Sequence, residues 1–487
     1  MLGETRERQW KQINFRTVKT VLGMEFLHEL YNRYHPEINC LRFKNTVIAT
    51  EGKQVTSYAP KDEWEFMGKW FGKRFLKKDQ AVIDNLQSYL DRPKERFHRF
   101  LEEMETADIT ELDNEELAMA LIDIQFVPLT ELYTVNHVQI EHALNGAIDT
   151  LLEREFDDEE EFNKAKSTLI YADKLTVGVE EKQAFYELVK DGLELGIDTI
   201  EQGDGNAVTA VRDHFEEYRY IHSAYGAEPY EFEYYVERYN DLADKGIAHI
   251  ETTLQQIEAA DKRAAHRREE YLSKIDHNEQ LKELVELMAS VGTLRDRNKA
   301  LLGQSTKYRE QLLNEISERS GVPREELNWY FLTELCKLLD NGSRIDDETI
   351  ASRKVGMVFT RNELVDTNAS FAIEDDATGV LAGECASVGT YEGVVRVVRD
   401  SSDNDRMNLG DVMVAPGTDF DLINAMQRAG AIVTEEGGIL SHAAVISREL
   451  DIPCLIGVEK ATELLEGGKR VRVDADGGEI TVLGDQI

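Results

Sequence analysis

Cysteine is scarce in this 487-residue chain: Cys40, Cys336, Cys385 and Cys454 stand far apart and form no CxxC pair. A disulfide framework and a zinc site are not expected, and a reduced, cytoplasmic setting is the simplest account. Long apolar runs are missing too. No stretch of about eighteen apolar residues occurs, so no membrane-spanning helix is expected. The opening Met1-Leu-Gly-Glu-Thr-Arg-Glu-Arg-Gln9 is too polar for a signal peptide. Positive charge is outnumbered, with 56 Lys and Arg against 94 Asp and Glu and a formal charge of −38. Nucleic acid and anionic membranes would repel such a surface. Nucleotide signatures are absent as well: there is no GxxxxGK[ST], no GxGxxG within a βαβ unit, and no βα alternation long enough for a (β/α)₈ barrel.

What is present divides the chain in two. Residues 1 to about 365 read mainly as helix. Leu281, Leu284, Val285 and Met288 form an apolar stripe at i, i+3, i+4 and i+7. Leu117, Leu121, Ile122 and Ile124 follow a similar habit behind a capping-box start at Asp113 and Glu116. Asn341-Gly342 ends the helix that carries Leu335, Leu338 and Leu339. Leu41–Thr50 and Gln54–Tyr58, joined through Glu51-Gly52, read as a hairpin. The acidic run Glu153–Glu161 reads as a solvated helix end or loop.

Periodicity is lost at Thr367–Thr378, which suggests a tether. Short strands follow, at Val394–Val398, Val412–Ala415, Ile432–Thr434, Cys454–Val458, Arg470–Asp474 and Glu479–Leu483. Leu422–Ala429 and His442–Leu450 read as helices, with a shorter one near Ala461–Leu465. The expected fold class is multidomain α plus α/β. A mostly helical domain over 1–366 and a linker over 367–380 precede a small β/β/α domain over 381–487.

The sharpest local signal is Thr434-Glu435-Glu436-Gly437-Gly438-Ile439-Leu440-Ser441-His442. A β-branched strand is broken by two glycines, and Ser441 stands at an N-cap position before a helix-forming run. His442 then falls at the positive end of a helix dipole, among backbone amides that suit a phosphoryl group. The same field disfavours imidazolium and keeps the ring nucleophilic. Gly437 and Gly438 let the backbone approach a phosphate. Ser441 and Arg448 are further phosphate-supporting candidates; Arg448 falls six residues, nearly two turns, beyond His442, where a surface or partner contact is the alternative.

The segment GG-x-x-SHAA-x-x-x-RE, followed by Asp451-Ile452-Pro453-Cys454-Leu455-Ile456-Gly457, resembles the mobile phosphohistidine domain of phosphoenolpyruvate-utilising enzymes. That group includes phosphoenolpyruvate synthase, pyruvate phosphate dikinase and rifampin phosphotransferase. The resemblance runs from Gly383 through Gly393-Val-Val-Arg-Val-Val398, Gly410–Ala415 and Thr418 to Val471-Arg-Val-Asp474. It implies a swivelling domain whose His442 carries phosphate, with Thr418 on a loop bordering the histidine. Leu440 takes the place of a regulatory threonine in pyruvate phosphate dikinase, so phosphorylation control there is not expected.

The helical part resembles the same group in Ile221-His-Ser-Ala-Tyr225-Gly226 through Glu231-Phe-Glu233, in Leu294-Arg295-Asp296-Arg297-Asn298-Lys299, and in Pro323–Leu335. Ala227-Glu-Pro229 departs from the group's His-Arg-Gly. By this resemblance the helical domain binds the acceptor. Tyr225, Tyr234, Tyr235, Arg295 and Lys299 are the substrate-binding candidates, although core packing of the tyrosines and solvation of the basic group remain alternatives. No ATP-grasp domain is recognisable, so ATP and Mg²⁺ are implied only through a separate ATP-grasp partner. His137, Glu141 and His142 lack a matching Glu-x-x-His partner, and no metal site is expected. The reading is a phosphotransferase subunit serving a small organic acceptor. A phosphorylation-coupled lyase or dehydratase, and a binding protein that kept the fold without the cycle, are the alternatives.

Overall fold

The computed structural model describes residues 10–17, 47–51, 54–132, 137–170, 175–201, 205–221, 223, 230–360, 364–365, 381–418, 422–465 and 468–485. The expected tether at Thr367–Thr378 and the candidate Tyr225 lie outside them.

Strands β1 (Trp10–Thr17), β2 (Val47–Glu51) and β3 (Gln54–Pro60) lead into the helical body. The β2–β3 hairpin pairs Val47 with Tyr58, in the expected register zone; residues 41–46 lie outside the described part. Its sheet also contains β4 (Val358–Thr360) and β5 (Leu364–Val365), in the order β1-β3-β2-β4-β5. The late strands fall in a stretch read as helical, a correction. Strand β4 pairs with β2 some three hundred residues upstream, where no local periodicity reports it, and β5 then pairs with β4.

The body comprises helices α1 (Lys61–Leu76), α2 (Gln80–Leu90), α3 (Glu95–Thr106), α4 (Asn114–Glu131), α5 (His137–Leu152), α6 (Glu159–Leu169) and α7 (Val177–Glu194). It continues with α8 (Gly205–Tyr218), α9 (Phe232–Lys245), α10 (Ile247–Lys274), α11 (Glu279–Ser320), α12 (Arg324–Leu327), α13 (Leu332–Asn341) and α14 (Asp347–Val355). Capping chemistry sets several ends. Asp113 accepts the Glu115 and Glu116 amides at 2.9 Å each, and Glu116 returns a bond from the Asp113 amide at 2.8 Å. Gly342 closes α13 at φ 74, a conformation that costs glycine little. Helix α11 is the spine: 42 residues, about 63 Å at 1.5 Å per residue. Its stripe Leu281, Leu284, Val285 and Met288 is fully buried. No described helix is long and apolar enough to cross a membrane.

The C-terminal sheet runs β12-β11-β7-β8-β9-β10-β6. Its strands are β6 (Glu384–Ser387), β7 (Thr390–Val397), β8 (Asp411–Ala415), β9 (Ala429–Thr434), β10 (Cys454–Ile456), β11 (Lys469–Asp474) and β12 (Glu479–Asp485). The central four, β7 to β10, are parallel. Strand β8 alternates between two apolar clusters. Val412 and Val414 face Val395, Ala431 and Val433, whereas Met413 and Ala415 face the opposite side. That second face is covered by α16 (His442–Leu450), and the same cluster continues without a break into Leu284, Met288 and Val291 of α11. The sheet domain is thus seated on the helical body through a shared core.

The expected helix Leu422–Ala429 shortens to α15 (Ile423–Met426). The composition favours helix, but Ala429 already pairs with Asp411, so the chain must leave the helix to enter β9. The last helix, α17, is Ala461–Leu464.

Candidate functional site

Parallel strands end together, and the crevice beyond their C-terminal ends is where α/β sheets present chemistry. After β9 the chain makes a short excursion that is tied down at each step. The Glu435 amide donates to the Ala415 carbonyl at 3.1 Å, and the Glu436 amide to Pro416 at 3.0 Å. The Glu435 carboxylate accepts from both the amide and the hydroxyl of Thr462, at 2.7 and 2.6 Å. Gly437 sits at φ 130, and a β-carbon there would come within 2.8 Å of the Ser441 hydroxyl. The Ser441 amide bonds the Gly438 carbonyl at 2.8 Å, and its hydroxyl accepts the Ala444 amide at 3.4 Å as the N-cap.

His442 is therefore the first residue of α16, half-buried, at the end where a helix concentrates its amide donors. Thr418 after β8 and Thr434 at the end of β9 are both buried. Each hydroxyl lacks a hydrogen-bond partner among the described residues. Buried polar groups in this condition call for a functional explanation, and Thr434 ends the strand from which the histidine loop departs. Thr418 is among the candidates named from the sequence; Thr434 is not, although it opens the motif.

Arg448 finds partners within its own domain. Its guanidinium donates to the Ala386 carbonyl at 2.8 Å and also to the Ile439 carbonyl. The side chain is buried and fastens the histidine loop to β6.

Across the joint, Glu141 of α5 is only 4% exposed. It accepts the Leu440 amide at 2.9 Å and pairs with Arg295 of α11 at 2.8 Å. Burial raises its carboxyl pKa, against the pull of Arg295 and the Leu440 amide. His142, beside it in sequence, is exposed and lies against the Trp64 ring, so the two side chains part company. Arg295 is thereby placed beside the histidine loop. Arg297 pairs instead with Glu180 of α7 at 2.6 Å. Lys299 contributes charge near Asp296, whose carboxyl accepts the Val177 amide at 2.8 Å and is raised by burial. Asp296 stood inside the quoted motif without being singled out.

Tyr235 is fully buried, edge-on to Phe185 and Phe215, which makes it a core residue and corrects the expectation that it lines a pocket. Tyr234 is half-buried and stacks on Tyr230 at 4.1 Å. Beneath this aromatic cluster Glu181 accepts from His214 at 3.0 Å and pairs with Arg238 through both oxygens. Burial opposes its ionisation, yet Arg238 and His214 hold its pKa down to about 2. A half-enclosed cavity opens between Val179 and Lys182 of α7, Ile257 of α10, and Ile446 and Glu449 of α16. Ile446 and Glu449 stand four and seven residues beyond His442, hence on its face of the helix.

Residues 407–478 match the family described as PEP-utilising enzyme, mobile domain. Over this region the chain resembles the phosphoenolpyruvate-utilising enzymes. The phosphoenolpyruvate synthase of Pyrococcus furiosus is 46% identical over 104 residues, 21% of this chain and 13% of that protein. The rifampicin phosphotransferase of a Streptomyces species is 33% identical over 198 residues, 38% of this chain and 22% of its own. A probable phosphoenolpyruvate synthase of Methanothermobacter thermautotrophicus is 34% identical over 172 residues, 33% and 25% respectively. The matched part of the chain thus spans between about an eighth and a quarter of these relatives.

Proposed function

We propose that this chain is a phosphotransferase subunit in which His442 relays a phosphoryl group from ATP, activated on a separate ATP-grasp partner, to a small organic acceptor held by the helical body. The observation that carries the reading is His442 at the start of α16, behind a loop that the Glu141 joint brings to Arg295. In the first step a lone pair of the neutral imidazole attacks phosphorus. A phosphorus–nitrogen bond forms, the phosphorus–oxygen bond to the leaving group breaks, and the ring proton is lost to solvent. In the second step an acceptor oxygen attacks the same phosphorus, its proton is released, and the phosphorus–nitrogen bond breaks. Helix amides and the Thr418 and Thr434 hydroxyls bind the equatorial oxygens in both steps, and Gly437 and Gly438 leave room for them.

Residues 381–487 would pivot as a body about the 367–380 segment to visit the partner's site, where ATP and Mg²⁺ are held, and then return. The cavity beside Ile446 and Glu449 lies on the His442 face of α16 and supports an acceptor position at the joint. Three free cysteines among the described residues agree with a cytoplasmic setting.

The test is incubation with phosphate-labelled ATP and a candidate ATP-grasp partner. Acid-labile label on the wild type, absent in His442→Ala, supports the relay. Label that survives in His442→Ala contradicts it.

A further inference from the structure

Other contacts hold the sheet domain along its flank. Lys166 of α6 lies between Asp149 at 2.6 Å and Glu384 of β6 at 2.5 Å. Arg263 and Arg267 of α10 reach Asp451 at 3.4 and 3.0 Å, and the Asn163 side-chain Nδ2 donates to the Asp476 backbone carbonyl at 2.8 Å. These pairs anchor the domain without touching the loop that precedes His442. Glu141, unlike the residues just named, bonds that loop.

The geometry at Glu141 is specific. One carboxylate oxygen takes the amide of Leu440, two residues before the histidine, and the other takes Arg295. A β-carbon on Gly438 would collide with the same carboxylate, so the second glycine of the motif is shaped to its neighbour in the helical body as well as to a phosphate. The side chain thus joins α5, α11 and the turn Gly437–Leu440 at one buried point.

We infer that Glu141 is the positioning residue of the docked arrangement: it seats the Gly437–Leu440 turn beside Arg295 and so sets where His442 is presented. That the presentation serves an acceptor rests on the phosphotransfer reading above; the seating itself does not. A carboxylate suits the task because it accepts a backbone donor and satisfies a guanidinium at once, two charge-assisted bonds from one buried group. It would also have to share Arg295 with any phosphoryl group delivered to the loop.

Hydrogen–deuterium exchange of the full chain, read at the Leu440 amide, tests this without any donor or acceptor. Glu141→Ala should speed exchange there by roughly tenfold or more, with β8 and β9 amides unchanged. Glu141→Gln keeps an acceptor oxygen and should restore most of the protection. Gly438→Ala probes the same contact from the other side. It should speed exchange in the wild-type background and add little in Glu141→Ala, because both remove one interaction. Unchanged exchange at Leu440 in Glu141→Ala, a Gln variant as unprotected as Ala, or additive effects of the two Ala substitutions would each overturn the assignment. Failure of His442 to take up phosphate would leave these exchange results standing and would count against the relay alone.

Discussion

Gly292 of α11 faces Leu440 so closely that a β-carbon on the glycine would lie 3.1 Å from a Leu440 methyl carbon. The spine of the helical body and the loop before His442 are therefore fitted to each other. At Gly292 the helix loses about 1 kcal/mol relative to alanine, so its local conformation is not the reason for a glycine. Gly292→Leu should drive Leu440 out of its seat at a cost of about 1–3 kcal/mol. Thermal unfolding should show the loss, together with faster proteolysis of the 435–442 segment. Gly292→Ala should be mild, since one methyl needs only a few tenths of an ångström from Leu440.

Glu449 gives the joint a pH dependence. Burial raises its carboxyl from 4.5 to about 8, and the negative charge of Asp296 adds to the rise, while the Thr176 backbone and Arg448 oppose it. Lys182, lowered chiefly by burial, shares the cavity with it, as does Asp261. The folded protein holds a proton that the unfolded chain releases above about 4.5. Stability should therefore fall as pH rises from about 4.5 to about 8 and level off beyond. Melting curves across that range should show the decline in wild type and a flatter profile in Glu449→Gln.

The Glu181–Arg238–His214 group should be costly to break. Glu181→Gln leaves Arg238 without its counter-charge in a site where its side chain is 20% exposed. The expected loss is about 3 kcal/mol, measured by urea unfolding. Because the Glu181 carboxyl is depressed to about 2, its contribution is complete above about 4.5 and disappears as pH falls toward 2. The variant should therefore show a shallower acid transition than the wild type.

Much of this arrangement is legible locally. The Asp113–Glu116 box, the Gly342 cap, the Leu281–Met288 stripe and the Ser441–His442 helix start are all set by residues within a turn or two of one another. The misses share a different cause. Glu141 meets Leu440 across 299 positions, and β2 meets β4 over a similar span, so neither leaves a periodic trace. Arg448 is placed by burial against the Ala386 and Ile439 carbonyls, which helical spacing from His442 does not reveal. Tyr235 is an aromatic whose spacing suits both a core and a pocket, and only its packing against Phe185 decides.

The central claim is that His442 carries a phosphoryl group, and site mapping reaches it most directly. The chain should be mixed with ATP, Mg²⁺ and a candidate ATP-grasp partner, digested at neutral pH, and read by mass spectrometry. The account predicts the added mass of one phosphoryl group on the peptide containing His442, removed by brief acid treatment and absent from His442→Ala. Phosphate that withstands acid, or that maps to a serine or threonine with His442 unmodified, would contradict it.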